Sequence, residues 1–270
     1  MSNLNAADEF VVAQYNRRWQ LVLFSPDTQE SRVVARSDRP VRDYRLGSIA
    51  LTADGTRAAL AWDARGSKSG HRIGHLDIVT LTEGQSERTG LTVCSERMAW
   101  MPGDRELVVE VLIPMAEALA LPGTSEWTPV EERRGSVSGI VAYDPDSGSM
   151  RALAAGHAPV LGGDGSCILS QLADGSYALT DVSTGATARV EWPGDHAGPV
   201  AIWCATRVLY YGLPTAGRAV ISTPHYSPMV GPRELPDIKV ADVSTGAFAT
   251  LLEGVDVRHA LSFTHRPWQR

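Results

Sequence analysis

Short apolar runs separated by tight-turn residues, repeated from one end of the chain to the other, constrain its fold more than any other feature. The stretch Leu161–Val190 shows the pattern at its most compact: LGGDGSCILSQLADGSYALTDVSTGATARV. Gly163-Asp164-Gly165, Ala173-Asp174-Gly175 and Ser183-Thr184-Gly185 interrupt the apolar runs. Gly and Asp accept the positive φ angles of hairpin turns, so each marks a chain reversal. Four strands joined by three reversals make an antiparallel meander. Such a sheet cannot cover both of its own faces, so units of this kind must stack on one another.

The same signals recur in order along the chain. Outer reversals fall at Phe24–Thr28, at Glu83-Gly84 after His75–Val79, at Asp144–Gly148, at Asp181–Gly185 and at Asp242–Gly246. Inner reversals fall at Thr52–Gly55, Met101–Asp104, Gly163–Gly165 and Ala205-Thr206. Five recurrences mark a repeat protein. The first unit has no inner turn of its own, and the apolar run Val257–Phe263 has no partner. Placing that run beside Phe10–Gln14 completes the first unit and leaves no long open edge. The expected fold is all-β: a five-bladed β-propeller of four-stranded antiparallel blades, its ring closed by pairing the N- and C-terminal strands. Residues 1–270 form a single domain on this reading, with blade 1 at 9–37 plus 256–264, blade 2 at 38–89, blade 3 at 90–155, blade 4 at 156–194 and blade 5 at 195–255.

LTADGTRAALAW (Leu51–Trp62), followed by Leu76–Gly84, resembles the TolB-type propeller repeat, and Asp181–Gly185 and Asp242–Gly246 match its outer turn. The likeness implies a fold and no activity. Gly162–Asp164 and Ala205-Thr206 depart from the family's inner turn, so blades four and five match less well. Gly156-His157 followed by Asp181 resembles the Gly-His…Asp arrangement of WD-repeat blades, although Thr180 stands where that pattern has Trp. The likeness implies a structural His157 that braces one blade.

Composition narrows the partners. The net charge of −6, with Lys68 and Lys239 the only lysines, argues against a phosphate-tracking surface, so no nucleic-acid partner is expected. No apolar run approaches the length of a bilayer span, and MSNLNAADEF lacks the features of a secretory leader, so no membrane partner is expected either. Cys94, Cys167 and Cys204 are odd in number and lie inside apolar runs. They read as buried free thiols in reducing cytosol, giving a cytoplasmic location.

Surplus polypeptide collects between the second and third strands of three units, at Asp63–Gly74, Pro114–Ser138 and Gly212–Asp237. In an up-and-down meander these loops and the unit-to-unit connections share one end. All three insertions therefore decorate one rim around the central channel, and long loops on one rim point to a binding face. The candidate catalytic residues on that face are His225, His196, His157, Asp63 and Asp195, imidazoles and carboxylates fit for proton transfer. Candidate binding residues are His71, His75, Trp127, Tyr226, Arg218 and Arg233. His71 and His75 are four apart in a Gly-rich segment and no metal motif is present, so no metal site and no cofactor is named. Ser136 and Ser138 have no nucleophile-elbow context. The expected partner is a small molecule, peptide or protein at the channel mouth. An enzyme of lyase, isomerase, cyclase or hydrolase type acting there is the alternative.

Overall fold

A computed structural model of the chain describes residues 10–15, 19–25, 28–36, 44–64, 73–122, 130–133, 136–162, 164–190, 196–204, 207–212, 220–221, 233–234, 237–242 and 247–252. The architecture is nearly all β, and every pairing is antiparallel between strands that follow one another closely in the chain. Strands β1 (Phe10–Tyr15), β2 (Trp19–Phe24) and β3 (Ser31–Arg36) form the first sheet. The run Val257–Phe263, expected beside β1, lies outside the described residues.

The second meander contains β4 (Tyr44–Leu51), β5 (Arg57–Ala64), β6 (Ile73–Thr80) and the first half of β7 (Gln85–Trp100). The third contains the second half of β7, then β8 (Leu107–Pro114), the short helix α1 (Met115–Ala120), β9 (Val130–Arg133), β10 (Ser136–Asp144) and β11 (Ser149–Ala154). Both belong to one 8-stranded sheet, ordered β11-β10-β8-β7-β6-β5-β4 with β9 on β10. The sequence predicts a break near residue 90, whereas hydrogen bonding is continuous there. β7 runs along β6 as far as Cys94, which pairs with Ile73, and returns along β8, where Cys94 also pairs with Glu110. Arg88–Cys94 contains no proline, so no backbone donor is lost and pairing passes from one neighbour to the next.

The fourth meander is β12 (His157–Leu161), β13 (Cys167–Gln171), β14 (Tyr177–Asp181) and β15 (Thr187–Val190). In the last sheet, β16 (His196–Cys204) and β17 (Arg207–Gly212) are followed by the small ladder of β18 (Val220–Ile221) with β19 (Arg233–Glu234). β20 (Asp237–Asp242) and β21 (Ala247–Leu252) complete it in the order β16-β17-β20-β21.

Stacked sheets explain why the central strands are apolar on both faces. On β5, Ala58, Leu60 and Trp62 pack with Trp19, Leu21 and Leu23 of the first sheet, while Ala59 and Ala61 join Val109, Val111 and Tyr143 on the other side. Val108, Ile140 and Ala142 meet Leu161 and Ile168 between the third and fourth meanders. Each fully buried leucine in these layers contributes about 1.5–3 kcal/mol.

The two ends of the stack differ. One carries only short turns, each closed by an aspartate that accepts from a residue two positions on, as Asp54 does from Thr56 and Asp181 from Ser183. Neighbouring turns also grip one another. Asp104 takes the backbone N–H groups of Ala53 and Asp54 at 2.9 and 3.0 Å. Arg57 donates to Asp104 O and to Asp146, and lies 5.1 Å over the Trp100 ring. Gly165 sits against the Pro102 ring, whose Cδ would be 2.5 Å from an added Cβ. The other end carries residues 65–72, 115–135 and 213–236, the segments that join second to third strands.

Candidate functional site

The insertion end holds the polar groups that the interior has not neutralised with turn geometry. His157 opens β12 there, immediately after Gly156. Its Nδ1 lies 2.7 Å from Glu110 Oε1, and the Ala158 N–H donates to Glu110 Oε2 at 3.0 Å. Ser138 Oγ is 3.3 Å from the same Nδ1. Glu110 is set on β8 and Ser138 on β10, so residues from the third meander grip the first residue of the fourth. An ionised carboxylate only accepts, so Nδ1 carries the shared proton. Further down the same interface the contacts are wholly apolar, from Val108 to Ile168.

The WD-like expectation is corrected in its partner. Asp181 faces its own turn, accepting from Ser183 and Thr184, and it is Glu110 of the neighbouring sheet that braces His157. Glu110 escaped sequence reasoning because it looked like an interruption of the apolar run Leu107–Leu121. The available signal was that a lone acid inside a two-sided apolar strand requires a partner. Ser138, set aside for want of a nucleophile motif, is buried against the pair.

A second polar cluster sits between the first and second meanders. His75 Nε2 accepts from Arg88 Nη2 at 2.6 Å and lies 3.7 Å from Asp77 Oδ2. Arg88 Nε approaches Asp77 Oδ1 at 3.4 Å. The His75 ring stacks on Trp62, with centroids 6.1 Å apart, and Trp62 leans on Trp19. Burial pushes the imidazole below its ordinary pKa of 6.5; Asp77 opposes this and Arg88 reinforces it. A neutral ring accepting from arginine is the form this network requires. Trp62 Nε1, Ser48 Oγ and Ser170 Oγ are buried without hydrogen-bond partners.

The remaining expected residues are placed less completely. His196 opens β16 opposite Gly212, and Asp63 pairs with Arg45 near the end of β5, so both backbones lie at the insertion end. Arg233 pairs with Ile221 in the β18–β19 ladder. His71, Trp127, Asp195, Arg218, His225 and Tyr226 lie outside the described residues. The expected helical turn within the Pro114–Ser138 insertion is α1. Among the described residues, no group of three or more His, Cys, Asp or Glu side chains is placed to hold a metal ion. No helix among them is long and apolar enough to cross a membrane. Cys94 and Cys167 are free and buried.

No family model and no curated protein matches the chain. Solved structures do. An oligogalacturonate lyase in complex with manganese superposes with a TM-score of 0.55 at 13% identity, over 93% of this chain and 63% of that one. An oligogalacturonate lyase from Vibrio parahaemolyticus gives 0.57 at 12% identity, over 93% and 64%. The β-propeller domain of the Trilobed protease from Pyrococcus furiosus gives 0.49 at 12%, over 92% and 68%. The chain spans less than two thirds of the length of the two lyase structures. Likeness at this identity concerns fold alone, and with the stacked antiparallel sheets it makes the architecture one of β-propeller type.

Proposed function

We propose that the chain is a five-bladed propeller with TolB-like and WD-like repeats that binds a small molecule, peptide or protein on its insertion-bearing face. The ring in this proposal closes by pairing Val257–Phe263 with β1. Val22 supports closure: it is turned away from Leu21 and Leu23 yet is itself buried, as a covering neighbour would require. The observation that carries the functional reading is the contrast between the ends. Carboxylates of the turn end are spent on turns and on adjoining loops, whereas the insertion end gathers imidazoles, a buried acid and orphaned polar atoms beneath the longest loops. The negative net charge favours such partners over nucleic acid. Free buried thiols suit a cytoplasmic location.

Catalysis at the same mouth, drawing on His157, His196, His225, Asp63 and Asp195, is the second reading. The carboxylate-oriented imidazole of His157 favours it. A thermal-shift screen of metabolites and short peptides tests the binding face. Ligands found there should lose their effect with Trp127→Ala or His225→Ala and keep it with Asp146→Ala at the turn end. Loss with Asp146→Ala alone would place binding at the opposite end and overturn the proposal.

A further inference from the structure

We infer that His157 is a ligand-contacting hydrogen-bond acceptor at the insertion end and that Glu110 is its positioning residue. The ligand group it takes is an O–H or N–H donor, such as a hydroxyl of a polar small molecule. This rests on the reading of the insertion end as the ligand-facing one. Glu110 receives the proton of Nδ1 at 2.7 Å, so the imidazole lone pair belongs to Nε2, on the opposite edge of the ring. The Glu110 side chain is 4% exposed and that of His157 is 15% exposed. The ring therefore leads outward from a buried carboxylate toward the surface.

Backbone strain at the same place supports a role beyond bracing. Ala158 has φ +50, a left-handed conformation that a residue with a Cβ avoids, and Gly156 has φ +97. The register between β12 and β13 also shifts between His157 and Val160. Glu110 Oε2 holds the strained Ala158 N–H, so one carboxylate fixes both the ring and the backbone that carries it. A brace alone would be served by a regular strand start. Independently, the Ser170 hydroxyl is 1% exposed and has no hydrogen-bond partner. It lies 3.4 Å from where a Gly156 Cβ would stand, beside the residue that opens β12. A buried hydroxyl in that state calls for a hydrogen-bonding group from outside the chain.

Reaction with diethyl pyrocarbonate, which acylates a bare imidazole nitrogen, tests this on the native full-length chain, read residue by residue by mass spectrometry. His157 should react at Nε2 at a rate comparable with the denatured chain. Its ring 15N shifts at mildly alkaline pH should show the proton on Nδ1. Glu110→Gln should slow the acylation about tenfold, the usual scale for losing a carboxylate that orients histidine, while Ser138→Ala leaves it unchanged. Protection of His157 until the protein unfolds, or a proton on Nε2, would overturn the inference even if Glu110→Gln fails to fold, because both are measured on the unaltered protein. No ligand takes part, so failure here is distinct from failure of the proposed binding face.

Discussion

Gly156 is the backbone position on which the geometry of His157 depends most directly, and its cost can be worked out against an internal control. A Cβ at Gly156 would stand 2.3 Å from Gln171 O and 3.0 Å from Gln171 C, both backbone atoms of the paired strand β13. At Gly175, which has φ +83, nothing lies within 4 Å of the same added atom. Gly175→Ala therefore incurs only the left-handed penalty, about 1–2 kcal/mol. Gly156→Ala incurs a penalty of that kind at φ +97, and in addition must push β12 from β13 by roughly 1 Å, an overpacking cost of about 1–3 kcal/mol. Urea titrations of both variants, followed by tryptophan fluorescence, should show Gly156→Ala the less stable by about that second amount. The Nδ1–H resonance of His157 should also move in Gly156→Ala and stay in place in Gly175→Ala. Equal stabilities would refute the close approach of Gly156 to Gln171, and with it the placement of the His157 connection.

Two further outcomes concern pH. Because burial, aided by Arg88, holds His75 below 6.5, the unfolded chain binds more protons than the folded one as pH drops below that value. Stability should decline there, and His75→Gln should flatten the decline in urea midpoints measured across the range; an unchanged slope would contradict the buried network. The Ser183 hydroxyl, with further donation from Thr184, lowers the Asp181 carboxyl to about 2. It supports the fold above its ordinary value of 3.8 and loses that support as pH falls toward about 2, so its carboxyl 13C titration should have a midpoint near 2, and one near 3.8 would contradict the turn geometry.

The fold was legible because hairpin chemistry is local. Asp181, Ser183 and Gly185 specify a reversal within five residues, and the structure closes that turn with Asp181 accepting from Ser183 and Thr184. The alternation of Leu60 and Trp62 with Ala59 and Ala61 likewise announced a strand covered on both faces. What remained hidden is held together by partners distant in the chain. Glu110 and His157 are 47 residues apart, and nothing in either neighbourhood names the other. The path of β7 was hidden for a related reason: a strand that exchanges one neighbour for the next at Val93-Cys94 carries no turn residue at the exchange.

Placement of Glu110 in an otherwise apolar interface also bears on why the site is where it is. A carboxylate removed from water costs several kcal/mol unless charge and hydrogen bonds compensate it. Here His157, the Ala158 N–H and Ser138 supply that compensation together, from two different meanders. Replacing them with apolar groups would satisfy packing between the third and fourth meanders equally well, as Val108, Ile140 and Leu161 do further along. A buried ion pair is thus a poor device for mere cohesion and a good one for fixing direction. It holds one imidazole edge inward at 2.7 Å and turns the other outward at the end where the chain has placed its longest loops.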